Sequence, residues 1–343
     1  MKKLLIIGTD TIHTYNYIAL IEDYFEDILL ITDVIKKEEK VKAVTVDFAL
    51  KPVNLFKTPK KIKKIVDDFN PDVVHIHQAN SVAFFLLFSG VGKKYPTVLT
   101  AWGSDILVVP KKSWLLKKMV QYNLSKAKYF TSDSQFMVDE MMDLSSKVKK
   151  VLIANFGINV DLQDVPKENI IYSNRLHKPL YNIDKIIVSF ADFSKEKEDW
   201  KLVIGATGES TEALKAKVTQ MKLDDRITFV GWVNKEVNAS WYSKAKIWVS
   251  IPDSDATSIS LLEAMACGCI PVVSDLPANH EWVQDNVNGI IAAKNEENFF
   301  QRALQIDAAK AIVLNKKRIE KDGLKSANKQ KFINLYNEIL QGE

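Results

Sequence analysis

Short, strongly apolar runs recur along this chain, each followed by a longer helical segment. The first series comprises Lys3–Gly8 (KLLIIG), Asp27–Thr32 (DILLIT), Pro71–His77 (PDVVHIH), Pro96–Trp102 (PTVLTAW), Tyr129–Ser134 (YFTSDS) and Val151–Ile158 (VLIANFGI). Runs that are apolar throughout, not alternating, suit strands buried on both faces. Interleaved helices are what a parallel, doubly wound sheet requires. The helical pattern lies near Tyr17–Phe25, Lys60–Phe69 and Ser113–Ala127. The apolar signal fades over Asp161–Asn169 and then restarts: Ile170–Ser173, Trp200–Gly205, Arg226–Gly231, Lys246–Ile251 and Ile270–Asp275, with a helix over Thr211–Met221. The expected fold class is therefore α/β, two Rossmann-like doubly wound domains over residues 1–163 and 164–326, with the cleft between them as the ligand site. Residues 327–343 form an amphipathic tail helix with Phe332, Leu335, Tyr336 and Leu340 on one face.

A length of 343 residues accommodates two such domains. The net charge of +4 is too small to argue for nucleic acid, and the first arginine is Arg175, so the N-terminal half is basic through lysine alone. The two cysteines, Cys267 and Cys269, are too close for a zinc pair and have no histidine tract behind them; they read as reduced packing residues of a cytosolic protein. The apolar run Leu4–Ile7 is too short for a secretory segment, and no run approaches the ~18 residues of a membrane span. A cytoplasmic location is expected, at most peripheral on the inner face of the cell membrane. Lys57–Lys64 and Pro110–Lys128 have the composition of helices resting on anionic lipid, and equally of solvated domain faces.

Chemistry concentrates in Ser254–Asp275, SDATSISLLEAMACGCIPVVSD. A loop feeds a helix N-terminus at the carboxyl end of a strand, and such a place holds anions. Backbone N–H groups of Thr257, Ser258, Ile259 and Ser260 face a phosphate in this reading. Asp255 and Glu263 accept hydrogen bonds from sugar hydroxyls. The alternative is a capping box, Ser260 to Glu263, in which the glutamate only closes the helix start.

The stretch from Asp255 to Asp275 resembles the signature of retaining GT-B glycosyltransferases of the GT4 family, also called glycosyl transferases group 1: an acid, seven residues, then Glu-Ala-Met-Ala-x-Gly-x-Pro-Val-Val. IIYSNRL, KLVIGATG, RITFVGWV and HEWVQDNVNGIIA resemble the same family in the C-terminal half, and PDVVHIH, TAWGSD and IANFGINVD do so in the N-terminal half. The resemblance implies a GT-B fold whose last helix crosses back onto the N-terminal domain. It also implies transfer of a sugar from a nucleotide sugar, UDP-linked or GDP-linked, to a glycan or lipid-linked saccharide in surface polysaccharide or glycoconjugate synthesis. It implies that Glu263 binds the donor ribose, Asp255 the transferred sugar, Arg175 and Lys178 the leaving diphosphate, and the backbone of Gly231, Trp232 and Val233 the base. Gly8 and Gly205, at strand ends, belong to the same expected ligand-binding set. Two departures stand out. The family carries Glu-Gly-Phe-Gly where this chain has Asp255-Ala256-Thr257-Ser258, and Tyr181 occupies the place of the lysine that partners the arginine.

With arginine, lysine and a helix N-terminus meeting the leaving charge, no metal and no cofactor is expected; Asp253-Ser254-Asp255 has an Asp-x-Asp form, but at the place where the family keeps its acid. On the acceptor side, Trp102 stands where many relatives have histidine. Asp105 is the candidate to contact or deprotonate the acceptor hydroxyl, or else to cap the next helix, and His13 and His77 are further acceptor candidates. Two rivals remain. One is a non-catalytic nucleotide-sugar-binding protein. The other is an oxidoreductase, which needs a Gly-x-Gly-x-x-Gly that GTDTIH after the first strand does not contain.

Overall fold

The computed structural model describes residues 2–35, 41–159 and 165–342. It divides into two compact units, Met1–Gly157 with Lys325–Glu343, and Ile158–Leu324. The sequence-derived boundary at 163/164 lies outside the described residues, as do Val160 and Asp161 of IANFGINVD and the start of the proposed linker.

Among the described residues, the first unit carries β1 (Lys3–Ile7), β2 (Asp27–Thr32), β3 (Lys42–Thr45), β4 (Val73–His77), β5 (Thr97–Thr100), β6 (Tyr129–Ser132) and β7 (Val151–Ile153). They form one sheet in the order β3-β2-β1-β4-β5-β6-β7, and each paired ladder is parallel. The second unit carries β8 (Glu168–Ser173), β9 (Lys201–Gly205), β10 (Ile227–Gly231), β11 (Ala245–Ser250), β12 (Ile270–Ser274) and β13 (Ile290–Ala292), ordered β10-β9-β8-β11-β12-β13 and again parallel. The apolar runs of the sequence are these strands, trimmed at their ends: PTVLTAW keeps only Thr97–Thr100, and VLIANFGI only Val151–Ile153. The edge strand β3 escaped the sequence reading because it is short and only half-buried, so its apolar signal is weak.

Alternation along a buried strand sends neighbours to opposite layers. Ile171, Ile247 and Val249 pack with Phe190, Phe193, Phe299 and Phe300 on one side of the second sheet. Tyr172, Trp248 and Val273 pack with Leu261, Leu262 and Met265 on the other. In the first unit the tail helix, Lys325–Gln341, buries Phe332, Leu335, Tyr336 and Ile339 against Leu4, Ile6, Tyr17 and Val73. It belongs to the N-terminal unit, as the resemblance implied.

A buried polar chain fastens that helix. His75 Nδ1 lies 2.9 Å from Tyr17 Oη and 2.5 Å from Tyr336 Oη, the two hydroxyls also meet each other, and His75 Nε2 lies 2.5 Å from Thr100 Oγ1. His77, one pleat along, is also fully buried, and neither ring nitrogen finds a hydrogen-bond partner among the described residues. Burial drives the His77 imidazolium down to about 3 and His75 well below its usual range, with neighbouring imidazoles adding repulsion.

Two outcomes follow from this packing. Phe332→Ala empties a fully buried ring site, so denaturant unfolding of the first unit should show a loss of about 3–5 kcal/mol. Both histidines stay neutral when folded but protonate in the unfolded chain below their ordinary pKa of 6.5. Stability is therefore fully present above that pH and declines as pH falls, at up to about 1.4 kcal/mol per pH unit for each histidine. Urea melts at stepped pH read the slope; constant stability down to pH ~5 would show the histidines protonating inside the fold.

Candidate active site

A doubly wound sheet binds ligands at the carboxyl ends of its strands, where the strand order reverses. In the second unit that reversal lies at β8, between β9 and β11, and the loops leaving β8 and β11 carry Arg175 and Asp255. Arg175 Nη2 donates to Asp255 Oδ2 at 2.7 Å, and Nη1 donates to Ser258 Oγ at 2.7 Å. The guanidinium also sits 4.6 Å over the Tyr181 ring. The two loops are stitched further along: Asp253 N–H donates to Leu180 O at 2.9 Å, and Asn182 Nδ2 donates to Ile251 O at 2.9 Å and to Asp253 Oδ1 at 3.0 Å. Burial raises the Asp255 carboxyl above its usual range, opposed by the Arg175 charge.

The helix that follows runs Ile259–Ala266 with Ser258 at its N-cap position. Its first intrahelical bonds are donated by Leu261 and Leu262 to Ser258 O, so the N–H groups of Ile259 and Ser260 precede the ladder and point out of the N-terminus. Ser258 spends its hydroxyl on Arg175 and makes no side-chain cap. The helix start also removes the capping-box alternative: with Ser258 at the N-cap, Ser260 lies inside the first turn and Glu263 is two residues past the position that reaches back to a cap residue. Glu263 lines a hollow with Ile158, Asn159, Lys235, Asn238 and Tyr242, and burial raises its carboxyl while the Tyr242 hydroxyl bond opposes the rise.

The other expected donor-side residues divide. Gly231 takes a left-handed φ of 68°, with open space where a Cβ would stand, and Trp232 beyond it is 74% exposed, followed by the half-buried Val233. This loop leaves backbone groups accessible. Lys178 is exposed at the edge of the Arg175 loop. Gly205 and Gly8 have packing reasons: a Cβ would come within 3.0 Å of Tyr172 Oη at Gly205 and of His77 Cβ at Gly8. Asn174, which the sequence reading passed over, receives Trp248 Nε1–H at 3.0 Å and donates to Tyr242 Oη at 2.8 Å, so it braces the strand end from which Arg175 projects. Its position next to Arg175 was the available signal. His177, given no role, is structural: its ring meets Thr211 Oγ1 at 2.9 Å and Gly205 O at 3.1 Å.

In the first unit the reversal lies at β1, between β2 and β4. Here His13, Trp102 and Phe156 make an aromatic nest, with His13 stacked 5.7 Å from Phe156 and meeting Trp102 edge-on at 5.2 Å. Trp102 lies 5.0 Å over His77, and its buried Nε1–H has no partner among the described residues. Two expectations are corrected. His77 does not line an open cleft; Tyr17, His75 and Trp102 rings close around it and it is fully buried. Asp105 neither faces an acceptor nor caps a helix. It is 1% exposed, and its oxygens accept the N–H groups of Ala79 at 2.7 Å and Trp102 at 3.0 Å, tying the loop after β4 to the loop after β5. A carboxylate held by backbone donors through both oxygens and sealed from solvent is out of reach of an acceptor hydroxyl.

The two-unit fold has counterparts among known proteins. Residues 159–312 match the family model described as glycosyl transferases group 1, and residues 2–134 match glycosyl transferase 4-like. Alpha-monoglucosyldiacylglycerol synthase of Streptococcus pneumoniae is 26% identical over 110 residues, 32% of this chain and 25% of that protein. An uncharacterized glycosyltransferase of Methanocaldococcus jannaschii is 31% identical over 140 residues, 40% of this chain and 35% of that protein. The matched segments thus span about a quarter to a third of those relatives' own length. Among solved structures, Anabaena Alr3699/HepE in complex with UDP superposes with a TM-score of 0.81 at 12% identity, covering 98% of this chain and 100% of that one. Sucrose-phosphate synthase from Thermosynechococcus elongatus does so with a TM-score of 0.78 at 14% identity, covering 100% of both. The second half of the chain thus matches a glycosyl transferases group 1 domain and the first half a glycosyl transferase 4-like domain, and the chain shares the two-domain Rossmann-like fold of these GT-B neighbours.

Proposed function

We propose that this protein is a retaining glycosyltransferase of the GT4 type, moving a sugar from a nucleotide-sugar donor to a glycan or lipid-linked saccharide in surface polysaccharide or glycoconjugate synthesis. The observation that carries the reading is Arg175 at the strand-order reversal of the second sheet, beside Asp255 and the N-terminus of helix Ile259–Ala266. A nucleoside diphosphate leaving an anomeric carbon develops negative charge. The guanidinium and the unladdered N–H groups of Ile259 and Ser260 meet that charge without a metal, and exposed Lys178 adds to it. Glu263 accepts from the ribose hydroxyls, the Gly231–Val233 backbone faces the base, and Asp255 accepts from the transferred sugar. The His13, Trp102 and Phe156 rings form an apolar, hydrogen-bond-poor surface of the kind a sugar face packs against. A uridine diphosphate donor is favoured because Alr3699/HepE was solved with UDP and UDP-glucose, and TarM of S. aureus and the pneumococcal GtfA were solved with UDP.

The reading includes peripheral attachment to the anionic inner face of the cell membrane. Residues 48–66 and 106–128 carry six lysines each and no acid. They contribute helices Asn54–Phe69 and Trp114–Lys126, which flank helix Ser81–Phe88 in one layer of the first unit. Each helix follows a parallel strand, so both begin at the carboxyl end of the sheet, and there Phe56 is 73% and Trp114 71% exposed. Apolar tips with lysines in the next turns match an interfacial surface. No helix among the described residues is long and apolar enough to cross a membrane.

A thermal-shift screen of UDP, GDP and ADP sugars should show stabilisation by the UDP series, and Arg175→Ala or Glu263→Ala should each weaken UDP binding by about tenfold or more. Normal binding by both variants would remove the donor site from this place, while binding without turnover on any acceptor would favour the non-catalytic alternative. Turnover should persist in a chelator. Separately, the protein should sediment with phosphatidylglycerol vesicles at low salt and be released at high salt, with Phe56→Ala/Trp114→Ala reducing the bound fraction severalfold; failure to sediment at low salt refutes attachment.

A further inference from the structure

Three of the places where this chain departs from the glycosyltransferase signature meet at one guanidinium. Where the family has Glu, the chain has Asp255, which pairs with Arg175 at 2.7 Å. Where it has the second Gly, the chain has Ser258, which accepts from Arg175 at 2.7 Å. Where it has a second cation, the chain has Tyr181, whose ring lies 4.6 Å beneath Arg175. We propose that Asp255 is a built-in occupant of the Arg175 anion site, a displaceable counter-ion that a donor diphosphate must exchange for itself.

The proposal rests on the donor-site reading above and adds a regulation of donor affinity to it. Arg175 and Asp255 are both mostly buried, with 13% and 24% of their side chains exposed, so solvent screens the pair only in part. A carboxylate in contact with the guanidinium cancels its charge and repels an incoming phosphate. With Tyr181 in place of the second cation, Arg175 carries most of the diphosphate's neutralisation, and its prior engagement sets the affinity directly. The exchange needs only side-chain rotation. The loop backbone is held on one side of Asp255 by Asp253 N–H to Leu180 O, and on the other by the helix start at Ile259. Of its two oxygens, Oδ2 meets Arg175 and Oδ1 accepts the Ala256 N–H at 3.1 Å, so turning the carboxylate away gives up both bonds but leaves the Asp253–Leu180 tie and the helix start in place. Burial raises the Asp255 carboxyl and the Arg175 charge opposes the rise. Once released, the carboxylate is free for the hydroxyls of the transferred sugar. Donor entry therefore switches Asp255 from counter-ion to sugar ligand.

Calorimetric titration of the full chain with UDP and, separately, with inorganic pyrophosphate tests the exchange. Asp255→Asn keeps the shape and removes the charge; it should bind both probes at least about fivefold tighter than the natural chain while losing sugar transfer. In an Arg175→Ala background the same substitution should lose most of that gain. Unchanged or weaker binding by Asp255→Asn overturns the proposal. So does an equal gain without Arg175, which would mean simple repulsion with no exchange. Should Asp255→Asn not fold, Asp255→Ser carries the same expectation. A natural chain that binds pyrophosphate but no nucleotide would refute the donor reading and leave the pyrophosphate comparison to decide the exchange. No binding of either probe by either chain overturns both.

Discussion

A parallel strand cannot be joined to its neighbour by a tight turn. The chain must leave at the carboxyl end, return along a helix packed on the sheet and re-enter at the amino end. Both units of this protein obey that constraint, since each paired ladder in both sheets is parallel. One end of each sheet therefore collects loops that lead from strands into helix N-termini, with their polar backbone groups unspent. Where the strand order reverses, adjacent loops diverge and leave room. Arg175, Asp255 and the N-terminus of Ile259–Ala266 occupy that place in the second unit, and the His13–Trp102–Phe156 nest occupies it in the first.

The two units use polar groups differently at these places. The first unit buries them: His75 is held by Tyr17, Tyr336 and Thr100, Asp105 is saturated by the Ala79 and Trp102 N–H groups, and His77 is enclosed by rings. These contacts fix the loops after β4 and β5 and secure the returning tail helix through Tyr336. In the second unit the charged groups stay partly exposed, and they hold each other through an ion pair and two hydroxyl and amide stitches. Saturated, buried groups give rigidity, and partly screened pairs can be exchanged for a ligand.

The legible part of the fold came from apolar strands, most of them buried on both faces. β1, β2, β4 and β8 to β12 all announce themselves as short apolar runs. β3 and β13 did not: the one is half exposed, and the other spans only Ile290–Ala292. In the candidate site, spacing singled out Asp255 and Glu263 because a helix start and its following turn lie at fixed separation along the chain; the fold sets Asp255 against Arg175 and Glu263 beside a hollow. Asp105 misled for the complementary reason. An acid one residue into a short helix looks available, and only the folding of the loop after β4 against it shows both oxygens taken.

By itself, the sequence determined two parallel α/β halves, an amphipathic tail and an acid–helix–acid stretch suited to a sugar phosphate, since periodicity and local spacing are properties of contiguous residues; the return of the tail onto the first unit was implied only by the family resemblance. Only tertiary structure decided what those residues touch. Arg175 is 80 positions from Asp255 and 83 from Ser258, and Tyr336 is 261 from His75. Such contacts arise when crossovers set distant strand ends side by side, and no local pattern in the chain records them. The tail helix shows both halves of the matter: its apolar face was readable one turn at a time, whereas the histidine it reaches was chosen by the order of strands in the sheet.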